Sequence, residues 1–263
     1  MTVTTATTTN MVSPSKGSGN IIDIGTGTTH DTVESQEKQV LQQRLLKQQD
    51  GKRWLPTALI WEDESAHRLW WEANTLDEFY SIRDEVNLLK RWEQDIARQV
   101  LDHSVLIDLG CGSPSTSSRN WYRLCDYQGR MLLGLDACDD DEKVWRSYND
   151  VNDCWHRMIR NGLVLSNKVL GHEWYRPEDW EVIGVCHRRS PTLTHRCVAR
   201  AIRVVRCEPL DLHFAPGEEI VTNEWYKYSP NEMQKQFGGV GLSNIRQWKL
   251  PSGPVYDYLL ALA

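Results

Sequence analysis

The chain has 263 residues, of which 40% are apolar and 25% charged, with a formal net charge of −6. That length suits one domain with appended segments or two small ones, and the balance is that of a mildly acidic soluble globule, which argues against general nucleic-acid binding. No apolar run approaches the roughly 20 residues of a membrane span, and the N-terminus lacks an apolar signal core behind a basic head, so the expected compartment is the cytosol with no membrane partner.

Seven cysteines without a Cys-x-x-Cys spacing argue against a disulfide framework and against structural zinc. Cys111, Cys138, Cys154, Cys186, Cys197 and Cys207 lie mostly in apolar or mixed surroundings and are read as packed thiols. Twelve tryptophans supply broad flat surfaces for a core or an aromatic ligand. His172, His187, His195 and His213 are too scattered to suggest a metal, and none is assigned.

In chain order, residues 1–20 are rich in Thr, Ser and Gly and are expected to form a disordered tail. Ile21 to Ile24 reads as a short strand, and Ser35 to Gln49 as an amphipathic helix carrying Val40, Leu41, Leu45 and Leu46, with Gly51 as its stop. Thr75 to Val100 predicts a long helix with Phe79, Ile82, Val86, Leu89 and Ile96 on one side and a break near Ser81. A strand ending in Asp108-x-Gly110-x-Gly112 follows, then a short helix between Asn120 and Arg130 and a buried strand from Met131 to Asp136. Lys143 to Leu170 reads as helical and closed by Gly171. After Pro177 the grammar is β: Glu181 to His187, Thr194 to Glu208 and Glu219 to Tyr228, with Pro216-Gly217 as a turn. A helix from Pro230 to Phe237, a Gly238-Gly239 break and strands at Ile245 to Leu250 and Tyr256 to Leu262 complete the chain. Arg188, Arg189, Arg196, Arg200, Arg203 and Arg206 make a basic β segment, read as a solvated sheet face.

The chemistry-bearing motif is Asp108-x-Gly110-x-Gly112 directly after an apolar strand. Glycines there let backbone approach a ligand with no Cβ in the way. A doubly wound sheet next supplies an acid about 20 residues on, at the end of its second strand, for ribose hydroxyls. Asp136 fits that pattern, and also fits a simple helix cap.

The chain resembles the ergothioneine-type, histidine-specific S-adenosylmethionine methyltransferase-like family and its fungal branch with dimethylallyltryptophan N-methyltransferase. The blocks that carry the resemblance include Ile21 to Gly25, Leu55-Pro56-Thr57, Trp61-Glu62-Asp63, Glu78-Phe79-Tyr80, Asp108 to Gly112, Leu133 to Cys138, Tyr148-Asn149-Asp150, Asn161-Gly162-Leu163 and Lys227-Tyr228-Ser229. The resemblance implies an α/β fold: an abbreviated Rossmann-like methyltransferase core with N-terminal helices and a C-terminal, mainly β substrate domain. The expected segments are 1–20 tail, 21–103 N-terminal helical region, 104–172 shortened Rossmann-like segment and 173–263 α+β part of the substrate domain.

It further implies S-adenosyl-L-methionine as cofactor, held by Asp108, Gly110 and Gly112, and N-methylation of an aromatic, indole-type amino-acid derivative in secondary metabolism such as alkaloid biosynthesis. Tyr80 would line the substrate pocket. Two departures bear on this. The family inserts several strands and helices between its glycine turn and the Gly134-Leu135-Asp136-Ala137 block, so by that alignment Asp136 belongs to a later strand and is not the ribose acid; both readings of Asp136 stand open. Substrate-anchoring carboxylate and hydroxyl positions of the family correspond to Asn223 and Trp225 here, so these two are read as altered substrate-binding positions. The alternative is a catalytically inactive, cofactor-free homologue serving as binding module or subunit, or a truncated product. A homodimer or a full-length homologue is the protein partner in view.

Overall fold

A computed structural model describes residues 30–49, 51–100, 129–189 and 192–263. The expected tail, the strand at Ile21 to Ile24, the glycine turn at Asp108 to Gly112 and nearly all of the helix expected at Asn120 to Arg130 lie outside the described residues.

Helix α1 runs His30–Leu46, and Leu41 and Leu45, four apart, are fully buried while Val40 and Leu46 are exposed. The chain then forms a two-residue strand β1 (Arg53–Trp54) and a 3-10 turn Thr57–Ile60. Helix α2 (Glu64–Thr75) follows; the sequence reading did not assign it. Asp63 starts it by accepting a hydrogen bond from the Ala66 amide at 2.8 Å, and its carboxylate also accepts one from Asn161 at 2.9 Å.

The helix expected over Thr75 to Val100 is α3, Tyr80–Ala97. The break falls at Leu76 to Phe79 rather than near Ser81, and the buried face is Tyr80 and Leu88 while Val86 and Leu89 are exposed. Strand β2 is Met131–Asp136, as the apolar run suggests.

The single helix expected over Lys143 to Leu170 is two: α4 (Asp141–Tyr148) and α5 (Cys154–Leu170). The break is a capping event. The Asp150 carboxylate accepts from the amides of Asn152, Cys154 and Trp155, and Asp153 takes a left-handed conformation with φ 56°. Those amides have no partner inside the starting helix, so an acid four residues upstream begins a new one. Along α5, Cys154, Trp155, Met158, Ile159, Gly162, Leu163, Ser166 and Leu170 are buried in a helical stripe. Gly162 lets the helix close on the 3-10 turn: a Cβ there would sit 3.0 Å from the Ile60 Cα. Gly171, at φ 67°, ends α5 as expected.

The β portion forms two larger sheets and a small ribbon. One sheet has the order β1-β7-β4-β3, with β3 (Trp180–Arg189), β4 (Thr192–Ala201) and β7 (Glu219–Tyr228) antiparallel neighbours. The strand expected over Thr194 to Glu208 divides into β4 and β5 (Val205–Cys207), and β5 pairs with β6 (Leu212–Phe214). The second sheet, β2-β9-β8, pairs β2 antiparallel to β9 (Val255–Leu262) and β9 antiparallel to β8 (Leu242–Lys249). Strands from 104–172 and 173–263 thus hydrogen-bond in one sheet. Helix α6 (Pro230–Gly239) extends past Phe237 through both glycines, and the turn comes at Gly241 with φ 76°.

The second sheet has two covered faces. Met233 and Phe237 of α6 pack on Tyr258 and Leu260, while Leu88 of α3 meets Trp248, Val255 and Leu259. The larger core lies between α1, α2, α5 and the β1-β7-β4-β3 sheet, and contains Trp155, Trp174, Tyr175, Trp180 and Phe214. Arg188, Arg196, Arg200 and Arg203 each pair with an acid, namely Asp141, Glu224, Glu219 and Asp179, so these four of the basic stretch are neutralised within the fold. The described cysteines are free, and burial pushes the thiols of Cys154 up to about 12 and of Cys186 and Cys207 up to about 11, which suits packing rather than reactivity.

Asp63→Ala is expected to lower stability by about 1–2 kcal/mol, measured by urea denaturation, because it removes the α2 cap and leaves Asn161 unpaired.

Candidate active site

Tyr80 is the first residue of α3, and Asp136 is the last of β2. The Tyr80 hydroxyl donates to Asp136 Oδ2 at 2.7 Å. The chain turns immediately after the strand, and the Cys138 amide donates to Asp136 Oδ1 at 2.9 Å. A third donor comes from the other sheet: Lys227 of β7 places Nζ 2.6 Å from Asp136 Oδ2 and 2.9 Å from the Tyr148 hydroxyl at the end of α4. Side chains of Lys227 and Asp136 are 5% and 11% exposed, so this is a buried ion pair.

Protonation states follow from those contacts. Burial works to strip Lys227 of its charge, but Tyr148 and Asp136 outweigh it and the lysine pKa is raised. Burial, reinforced by the Asp136 charge, raises the Tyr80 phenol far above its usual value. Burial likewise raises Tyr148, against the pull of Lys227. Lys227 and Tyr80 are therefore hydrogen-bond donors to Asp136, and the Tyr148 hydroxyl accepts from Lys227.

Strand parity builds the aromatic half. Asn223, Trp225 and Lys227 alternate on one face of β7, and Trp225 stands opposite His195 across the ladder, Asn223 opposite Cys197. Tyr148 stacks on both aromatic partners, with its centroid 4.2 Å from Trp225 and 4.6 Å from His195. Trp155 lies edge-on to Tyr148 and Trp225 at 5.3 and 5.1 Å, and Phe79 lies 5.9 Å from Tyr148. Glu224, on the opposite face of β7, pairs with Arg196.

His195 Nε2 lies 3.0 Å from the Asn149 amide nitrogen, which makes it an acceptor and leaves the proton on Nδ1, a buried atom without a hydrogen-bond partner. Burial, then Lys227, lowers its pKa to about 3. The imidazole is neutral and serves packing more readily than proton transfer. Beside Tyr80 a groove of about 390 Å³ opens between Asp77, Glu78, Arg83, Asp140, Glu142, Lys143 and Arg146, and Lys143 Nζ sits 4.2 Å above the Tyr80 ring.

Of the residues singled out from sequence, Tyr80 and Asp136 are in direct contact, and Trp225 joins them through Tyr148 and Lys227. Asn223 is buried farther along the same strand face. Asp108, Gly110 and Gly112 lie outside the described residues. Both Asp136 oxygens already accept hydrogen bonds from the protein, three in all, so a ribose diol seeking both oxygens would compete with Tyr80, Lys227 and the Cys138 amide. Sequence reasoning gave no role to Lys227, Tyr148 or His195. Lys227 shares the alternation of Asn223 and Trp225, which was the available signal, and two of the three fall in the quoted family blocks.

The cluster thus sits at the carboxyl end of β2 in a fold that mixes helices and sheets. The model of the family described as histidine-specific methyltransferase, SAM-dependent, matches residues 36–119 and 115–262, and the chain belongs to that family. It is 30% identical over 121 residues to Ergothioneine biosynthesis protein 1 of Neurospora crassa, covering 45% of this chain and 13% of that protein. Over 135 residues it is 28% identical to Histidine N-alpha-methyltransferase of Mycolicibacterium smegmatis (51% of this chain, 41% of the relative). Over 140 residues it is 26% identical to a 4-dimethylallyltryptophan N-methyltransferase of Penicillium roqueforti (51% and 41%). The chain thus matches less than half the length of each relative. S-adenosylmethionine is the family's cofactor. Among the described residues no helix is long and apolar enough to cross a membrane.

Lys227→Met is expected to cost about 3–5 kcal/mol in chemical denaturation, since it strands the Asp136 charge, and adding Asp136→Asn should return part of that loss. His195 has a folded pKa below its unfolded value, so its contribution is present above about pH 6.5 and is lost as pH falls toward 3. Relative to the unsubstituted protein, His195→Gln should therefore gain thermal stability progressively over that acid range.

Proposed function

We propose that this chain is an S-adenosylmethionine-dependent N-methyltransferase whose acceptor is the amine of an aromatic, indole-type amino-acid derivative in secondary metabolism. The observation that carries the reading is the meeting of Tyr80, Asp136, Lys227 and Tyr148 at the carboxyl end of β2, in a chain of this family. The relatives support the acceptor class: one is a histidine and one a dimethylallyltryptophan N-methyltransferase.

When bound, the cofactor supplies a methyl group already activated on a sulfonium, so the protein's task is to present a neutral amine and exclude water. The amino-acid end of the cofactor is assigned to the bare backbone of Asp108, Gly110 and Gly112. With three of its acceptor positions filled, Asp136 suits the acceptor side better than a ribose diol. Lys227 and Tyr80 fix its orientation, and an arriving amine would donate N–H to it because the Tyr80 phenol and the Lys227 ammonium are themselves donors. The groove beside Tyr80 is the entry for that amine, and Trp225 and Tyr148 offer flat apolar walls.

A second reading has its own observation. The Trp225 indole is already stacked on Tyr148, and Asp136 is already engaged by the protein, so the aromatic slot is closed by the chain's own side chains. That favours a cofactor-free homologue used as a binding module or subunit of a full-length partner.

Calorimetric titration with S-adenosylmethionine separates the two. A saturable heat with the purified chain is expected, and Gly110→Val should abolish it by placing a side chain in the ligand's approach. A chain that melts cooperatively yet gives no heat would reject the enzyme reading and leave the binding module; a chain with no cooperative melt would point to a truncated product.

A further inference from the structure

A second ionisable cluster lies on the face of β2 that α3 covers. Gly134 of β2 stands directly opposite Asp257 of β9. A Cβ at Gly134 would be 2.4 Å from Glu85 Oε1 and 3.1 Å from Asp257 Oδ1, so a helix carboxyl and a strand carboxyl converge on the space left by the missing side chain. Asp257 is 1% exposed, and its Oδ2 has no hydrogen-bond partner.

Among the described residues, the surroundings bring no cation to the pair. From α3, Asp84 is engaged with Arg83. From β8, Trp248 stands opposite Asp257 and gives its indole N–H to Asp95, which also binds Arg246. From β2, Asp136 lies two residues beyond Gly134 and holds Lys227 on itself. From β9, the neighbours of Asp257 are Tyr256 and Tyr258. Two carboxylates in such a place cannot both be charged without strong repulsion in a medium that screens poorly.

We propose that Glu85 and Asp257 share one proton, and that this proton clamps α3 onto the β2-β9-β8 sheet so that the seating of Tyr80 on Asp136 depends on pH. Tyr80 begins the helix and Glu85 follows five residues later, so a shift of α3 at Glu85 is carried to Tyr80. Burial, then the charge of Glu85, raises the Asp257 pKa to about 7, and burial raises that of Glu85. The folded state therefore keeps a proton that the unfolded chain releases near pH 4. Stability from it is full below pH 4, falls as pH rises to about 7, and is constant above. His195 acts with the opposite sign between pH 3 and 6.5, so the overall stability curve masks both and the comparison must be between variants.

The test is a carboxyl-carbon NMR titration of the full chain, unsubstituted and as Glu85→Gln, with thermal melts of Asp257→Asn beside them. The Asp257 midpoint should lie near pH 7 and fall measurably in Glu85→Gln. The melting temperature of Asp257→Asn relative to the unsubstituted protein should rise between about pH 4 and 7 and stay level above. Amide protection in α3, corrected for the intrinsic base-catalysed exchange rate, should fall across the same midpoint while that in α5 does not. An Asp257 midpoint near 4, a midpoint indifferent to Glu85→Gln, or α3 protection that stays constant across that range would each overturn the proposal; the NMR and exchange arms stand even if Asp257→Asn does not fold.

Discussion

The buried pairing of Lys227 with Asp136 is the constraint on which the rest of the arrangement depends. Lys227 belongs to the β1-β7-β4-β3 sheet and Asp136 to the β2-β9-β8 sheet, while Tyr80 and Tyr148 bring in α3 and α4. A charge removed from water is tolerated only with its partner in place, so the two sheets cannot drift apart without leaving both ions stranded. Apolar packing alone would hold the layers together more loosely in register; the ion pair specifies where the end of β2 meets β7.

Around that pair, the strand period decides which side chains are neighbours. Because Asn223, Trp225 and Lys227 alternate with Glu224 and Tyr226, one strand presents an aromatic and cationic face inward while its other face pairs Glu224 with Arg196. The extra residue at Thr222 is accommodated by a bulge between Cys197 and Val198, and its hydroxyl binds the Cys197 carbonyl. Aromatic rings from α4, α5, β7 and the turn before α3 then fill the inward face: Tyr148, Trp155, Trp225 and Phe79. The large tryptophan content is thus used mainly within the core, with Trp225 and Tyr148 forming the part that borders the polar cluster.

How much was legible varies by element, for physical reasons. Met131 to Asp136 and Glu219 to Tyr228 stood out because their apolar runs and alternation match the observed bounds. The α4–α5 break did not, since helical spacing continues across it and only the Asp150 carboxylate turning back onto three amides ends one helix and starts the next. Helix α2 escaped because its buried residues, Ala66, Leu69 and Ala73, form a thin stripe that includes two alanines. At the site, Tyr80, Asp136 and Trp225 could be picked out by motif, whereas Lys227 showed only its alternation with Asn223 and Trp225 and its place in a family block: these set its strand face but not the buried acid it finds across the sheets.

The sequence by itself determined the lineage, the location of most helices and strands, and the residues that end β2, because these follow from local spacing and short ordered blocks. Only the tertiary structure decided that Asp136 is engaged by a lysine 91 positions away, that Tyr148 stacks against both His195 and Trp225, and that Glu85 and Asp257 meet over a glycine. Those are contacts between elements, and both the sign of a charge's contribution and the protonation state of an acid depend on what surrounds them once water has been excluded.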